Sequence, residues 1–125
     1  MRLSKLIDPR FKALIVSLQS EVIPLKGAFK LKGIVKAIDV ELNKYEDLRK
    51  EALNKFGRKD DKGELVLDDK GNVQFDDAQV QDFMKELQDL VNLEVSIPTM
   101  SISDLGDKLS LSVQDLFLLE DVVVD

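Results

Sequence analysis

An α+β fold, mainly helical, is the architecture that these 125 residues specify. It has a long central helix packed on two further helices, a β-hairpin and a short C-terminal strand/helix unit. Three observations lead there. Apolar residues recur at three- and four-residue steps over three stretches, the middle one by far the longest. A Gly- and Asp-rich segment flanked by short apolar runs separates the second stretch from the third. At 44% apolar and 34% charged, the chain has the composition of a globular protein, and its length suits a single domain over 1–125.

Asp8-Pro9 reads as a helix start, because Asp caps free N–H groups and Pro suits the first turn. Phe11, Leu14, Ile15 and Leu18 then follow helical spacing, with a stop expected near Pro24. From Leu25 to Phe56 the positions Leu31, Val35, Ile38, Leu42, Tyr45, Ala52 and Phe56 form one stripe, interrupted only at Arg49. A helix of roughly 30 residues would be about 45 Å long. Gly33 costs it about 1 kcal/mol relative to Ala and permits a bend there. Gly57 stands where a left-handed C-cap would end it.

Glu64–Leu67 and Val73–Phe75 read as the arms of a β-hairpin, with Gly71-Asn72 supplying positive φ in its turn. Asp76 or Asp77 would cap a third helix, on which Val80, Phe83, Met84, Leu87, Leu90 and Val91 span an arc of about 120°. Val95, Ile97, Met100 and Ile102 alternate about Pro98, as in a bent strand or a strand pair. Ser112 and Asp115 have capping-box spacing and open a short helix through Leu119. Val122–Val124 then docks as a terminal strand or stays loose. No internal repeat or low-complexity tract is apparent.

The absence of His, Cys and Trp excludes disulfides, thiol chemistry and His-dependent acid–base catalysis. It equally excludes zinc, haem or iron–sulfur sites built from imidazole or thiolate. The Asp-rich loops invite a calcium reading, but an EF-hand loop needs an oxygen ligand at its third position and Gly at its sixth. Counted from Asp60 these are Lys62 and Leu65, and from Asp68 they are Lys70 and Val73. Neither a phosphate-cradling Gly-rich loop nor a G-x-S-x-G turn occurs. The expectation is a protein that is not an enzyme, with no metal and no cofactor.

Charge is divided along the chain. Residues 1–59 carry 14 Lys/Arg against 7 Asp/Glu, and residues 60–125 carry 4 against 17. On the long helix, Lys26, Lys30, Lys32 and Lys36 span an arc of about 160° opposite the apolar stripe. Phe29 projects among them. An aromatic ringed by lysines suits a partner surface, so Lys26, Phe29, Lys30, Lys32 and Lys36 are the candidate partner-binding residues. The same ring could instead be covered by the first helix or by the acidic half. A nucleic-acid partner is disfavoured, because the acidic half would repel a polyanion. Nor is a membrane partner expected: the longest apolar runs, Ala13–Val16 and Leu116–Leu119, fall far short of the ~20 residues of a spanning helix. Lys5, Asp8 and Arg10 interrupt any secretory signal.

The order of segments carries a resemblance. Leu25-Lys-Gly-Ala-Phe-Lys-Leu31 leads to Glu41–Leu53, Lys55-Phe-Gly57 and Asp61-Lys-Gly63. Phe83–Leu90, Glu94-Val95 and Leu111-Ser-Val-Gln-Asp-Leu116 follow. Over almost its whole length the chain resembles a family of small, uncharacterised proteins encoded by tailed bacteriophages and prophages. Its terminal Val122–Val124 is more apolar than that layout suggests. The resemblance implies a phage origin, and hence the host cytoplasm or the virion as its location. It implies no catalytic residues. The resulting expectation is a non-enzymatic protein acting through protein–protein contacts, in virion or tail assembly or as an accessory factor. The alternative is an inhibitor of a host or defence enzyme that binds through its acidic C-terminal half. Self-association is also expected, most simply as a dimer with long helices antiparallel.

Overall fold

The computed structural model describes every residue from Met1 to Asp125. In chain order its elements are α1 (Leu3–Leu6), α2 (Pro9–Gln19), α3 (Leu25–Phe56), α4 (Asp77–Val91), β1 (Met100–Ser101), a 3₁₀ turn (Ile102–Leu105), α5 (Val113–Leu118) and β2 (Val123–Val124). The architecture is mainly helical α+β, as the periodicities predict. Two units are distinguishable. One comprises Met1–Leu42 with Glu94–Asp125, and the other Asn43–Leu93, so α3 contributes to both.

In the first unit, the Asp8 carboxylate accepts a hydrogen bond from Arg10 N at 2.8 Å and starts α2 as expected, with Pro9 in its first turn. The preceding single turn α1 has no signature in the sequence. Its Leu3 and Leu6 nevertheless join Phe11, Ile15, Leu18, Leu31, Ile34, Ile38, Met100, Leu105, Leu119 and Val122 in the core. The segment Val95–Ile102 is not one strand. Val95 N donates to Met1 O at 2.8 Å, and only Met100–Ser101 is extended in a ladder. Val122–Val124 docks: β2 pairs parallel with β1, Met100 facing Val123 and Ser101 facing Val124. At Ser112 the capping box forms as expected, with Asp115 N donating to Ser112 Oγ at 3.0 Å and Ser112 N to the Asp115 carboxylate at 3.2 Å.

The first turn of α3 is pressed against the 3₁₀ turn. A Cβ at Gly27 would overlap the main-chain carbonyl of Asp104, so no larger residue fits this approach. Asp104 is the one charged side chain buried in the molecule. Its carboxylate accepts from Lys30 Nζ at 2.8 Å and from Ser101 N at 2.9 Å. Those hydrogen bonds, the Lys30 bond foremost, hold its pKa below the ordinary 3.8. Gly33, by contrast, has open space where a Cβ would sit, and α3 runs through it without interruption.

The second unit corrects two expectations. Gly57 is not a left-handed cap, since positive φ occurs only at Gly63, Gly71 and Gly106. What demands glycine at 57 is crowding: a Cβ would lie 2.6 Å from Leu53 O and 2.7 Å from both Leu65 Cδ2 and Val73 Cγ1. The single hairpin is in fact two successive turns built from an eight-residue repeat that is hard to see amid the charges. Asp60-Asp-Lys-Gly-Glu-Leu-Val-Leu67 is followed directly by Asp68-Asp-Lys-Gly-Asn-Val-Gln-Phe75.

In the first copy, Asp60 Oδ1 accepts from Lys62 N and Glu64 N, and Asp60 O accepts from Gly63 N at 3.0 Å. Asp68 does the same with Lys70, Asn72 and Gly71. Gly63 and Gly71 take φ of 79° and 81°, as the fourth residue of a type I turn with a G1 bulge requires. The arms are so short that they pair only as isolated antiparallel bridges, Lys59 to Leu65 and Leu67 to Val73. Phe75 stacks on Phe83 of α4 with ring centroids 4.8 Å apart, which anchors the second arm to the helix. Asp76 stands at the N-cap position of α4 but makes no capping hydrogen bond, and it pairs with Arg58 at 3.4 Å. Beside α4, the last part of α3 contributes Leu48 and Ala52 to a concavity shared with Leu87 and Leu90, with Lys55 paired to Glu86 at 3.6 Å.

Two measurements test this account. In urea unfolding, Gly27→Ala should lower stability by about 2 kcal/mol or more through overpacking against backbone. Gly33→Ala, on the same helix, should raise it by about 1 kcal/mol through helix propensity. Equal effects at the two sites would refute the proposed close approach. Because the Asp104 pKa is depressed on folding, its contribution is complete above the unfolded value near 3.8 and fades as pH falls through the lower folded value. Acid titration of Asp104→Ala should therefore lack that component of stability loss below pH 3.8.

Candidate interaction surface

Phe29 is 67% exposed on α3, with Leu25 at 75% and Val22, just before the helix, barer still. Leu25 and Phe29 share the side of α3 turned away from Gly27, roughly 160° from it at 100° per residue. Lys26, Lys32 and Lys36 are exposed and belong to no ion pair within the chain. Lys32 and Lys36 border a concavity of about 400 Å³ between α2 and α3, lined below by Leu18, Ala28, Leu31 and Val35. Of the five sequence-predicted residues, Phe29 is thus exposed and three lysines, Lys26, Lys32 and Lys36, stand free around or beside it. Lys30 does not: its ammonium is held by buried Asp104. Neither the first helix nor the acidic half covers Phe29.

A second apolar surface of the same unit escaped the sequence reading. Ile102, Val113, Leu116, Phe117, Val123 and Val124 line a groove of about 490 Å³ between α5 and the β1–β2 pair. Val113 is 70% exposed and Phe117 66%. The unusually apolar Val122–Val124 was the available signal. Val122, just before β2, is buried, whereas Val123 and Val124 of β2 both line the groove. Around the rim stand Glu120 and Asp125, with Asp115 and Asp121 on the same segment.

The α5 wall of this groove is fixed from below by α1. Lys5 Nζ donates to Asp121 at 2.5 Å, to Glu120 at 3.2 Å and to Phe117 O at 3.4 Å. Burial acts to lower the Lys5 pKa, but its hydrogen bonds to Asp121 and Glu120 outweigh that and raise it. Lys5 thus meets the carbonyl of Phe117 and the acidic groups that follow α5, the end of a helix where a cation is most favourable.

No group of three or more His, Cys, Asp or Glu side chains is arranged to hold a metal ion. Asp60 and Asp68 aim their carboxylate oxygens at their own turn N–H groups. What both surfaces offer is exposed apolar area beside charge, mainly lysines on α3, with Glu21 at the edge of its concavity, and mainly carboxylates around the groove, with Lys5 bound to Glu120. No protein-family model matches the chain, and neither a curated protein nor a solved structure matches it.

Lys5→Ala should cost about 1 kcal/mol of global stability, given three hydrogen bonds from a partly exposed ammonium. It should also raise amide exchange selectively in α5 and β2. Unchanged exchange in those two segments would show that Lys5 does not brace the groove.

Proposed function

We propose that the protein is a non-enzymatic, bacteriophage-encoded factor that works through protein–protein contacts, in virion or tail assembly or as a small accessory factor. Its place of action on this reading is the host cytoplasm or the virion. The observation that carries the proposal is the groove between α5 and β1–β2, where Val113 and Phe117 stand largely bare beside Ile102, Leu116 and Val124. Contiguous apolar side chains on so small a protein mark a surface that a partner covers. The basic face around Phe29 is a second such surface, and aromatic residues are favoured anchors in interfaces. The phage part of the reading is supported by the segment order described above.

No helix of the molecule is long and apolar enough to cross a membrane, and the acidic rim of the groove disfavours a polyanionic ligand. The competing reading, an inhibitor using its acidic half, has less support in the turns, where the Asp60 and Asp68 carboxylates are engaged by the backbone.

Crosslinking and affinity capture from phage-infected cells tests the proposal, with Phe117→Ser as control. Recovery of virion or assembly proteins by the native chain, lost on Phe117→Ser, is the expected result. Stoichiometric recovery of one host enzyme, insensitive to Phe117→Ser, would overturn it in favour of inhibition.

A further inference from the structure

We infer that the acidic groove of one copy receives the basic, aromatic face of α3 from a second copy, joining chains head to tail. This rests on the reading of the protein as one that acts through contacts, and it names the partner of the groove. The occupant that the groove calls for has an apolar anchor flanked by cations. Its lining is Ile102, Val113, Leu116, Phe117, Val123 and Val124, and Glu120 and Asp125 stand at its edge. Between Glu21 and Asp39 the chain carries four lysines and no acidic residue, and in that stretch Leu25 and Phe29 are exposed. Leu25 and Phe29, at i and i+4 on α3, have the spacing of anchors on a helix laid into an apolar groove, and exposed Val22 lies just before that helix. At about 490 Å³ the groove has room for an aromatic ring with aliphatic neighbours. Charge and apolar character are therefore complementary between two surfaces of one chain, which are present at equal concentration in any solution of it.

The contact cannot form within one copy. Gly27 is pressed on the backbone of Asp104, and Ile102 of the groove belongs to the same 3₁₀ turn as Asp104. Phe29 lies on the opposite side of α3 from Gly27, so the helix presents it away from its own groove. The exposure of both Phe29 and Phe117 agrees with this. A contact between two different patches is heterologous, and each copy joined leaves one patch of each kind free. The product is a ring or a growing chain, in place of the two-fold antiparallel pair expected from helix length alone.

Sedimentation of the full chain and two surface variants tests the inference. The native protein at about 100 μM in low salt should show a weight-average mass that rises with concentration beyond a dimer. Phe29→Ser, which loses the anchor, and Val113→Asp, which fouls the groove, should each sediment as a single chain. An equimolar mixture of the two should give a 1:1 heterodimer and nothing larger, because only one intact pair of patches remains. Raising salt to about 1 M, where screening acts within ~3 Å, should weaken every contact.

Circular dichroism of each variant establishes folding. Should Phe29→Ser or Val113→Asp fail to fold, the exposed pairs Lys32→Glu/Lys36→Glu and Glu120→Lys/Asp125→Lys replace them: each alone should sediment as a single chain, and their mixture should associate again, because both pairings of face and groove are then opposite in charge. A native chain that stays monomeric, or a mixture that does not pair, overturns the inference. If phage proteins are still captured through Phe117 in that case, the contact-forming function stands and only its partner changes.

Discussion

The approach of α3 to the 3₁₀ turn Ile102–Leu105 governs what the rest of the first unit can do. Two segments more than 70 residues apart in sequence meet at Gly27 and Asp104, where a side chain on the helix has no room. A carboxylate beside that contact would be costly to bury unpaired. Lys30, one turn further along the same helix, and the Ser101 N–H supply what it needs. Gly27 and Lys30 therefore act together: the first lets the backbones close, and the second answers the charge that the closure buries. Ser101 belongs to β1, so the same carboxylate aligns the strand against which β2 pairs. The floor of the acidic groove is thereby referenced to the first turn of α3.

Electrostatics in the fold follow a consistent geometry. Within the first unit, Lys5 reaches Glu120 and Asp121, and Lys30 reaches Asp104. Within the second, Lys55 meets Glu86 and Arg58 meets Asp76. Each of these pairs joins a cation from the basic first half of the chain to an anion from the acidic second half. Exposed pairs of this kind contribute at most ~1 kcal/mol each. Their effect is on which segments dock, since like charges in the same places would oppose the docking. The division of charge along the sequence is in large part a division between segments that fold onto one another.

How much of this could be read from the residues depended on the range over which each signal acts. Helix starts are local: Asp8-Pro9 and Ser112–Asp115 name their own hydrogen-bond partners, and both caps form. The stripe from Leu31 to Phe56 is periodic over many turns, so its helix could be drawn nearly to the residue. Gly57 was misread because a glycine after a helix suggests a conformational role, whereas its need arises from Leu65 and Val73 packing against it. That cause is tertiary. The two Asp-Asp-Lys-Gly turns were locally legible but were divided between a loop and a hairpin, which hid their eight-residue identity. Lys30 could not be separated from Lys26, Lys32 and Lys36 by periodicity, because what distinguishes it is a carboxylate 74 positions away. The groove, assembled from the 3₁₀ turn, α5 and β2, was announced only in part, by the apolar Val122–Val124, because its other walls come from separate segments.

What the internal pairs leave over is as informative as what they use. Lys26 lies near enough to Asp104 to favour its ionised form, yet its ammonium forms no ion pair, and Lys32 and Lys36 point outward beside an uncovered Phe29. On the acidic side, Asp125 stands at the edge of the groove, and Glu120 keeps most of its side chain in solvent even while touching Lys5. A chain selected only to fold would have little reason to keep a bare phenylalanine inside each residue of charge. Lysine stems covering Phe29, or a polar residue in its place, would serve solubility better. Both apolar anchors are instead held on elements braced from behind, Phe29 by the seating of α3 at Gly27 and Phe117 by Lys5 at the end of α5. Rigid presentation lowers the ordering cost of an association. It is the arrangement expected where exposed aromatic side chains are there to be covered by another chain.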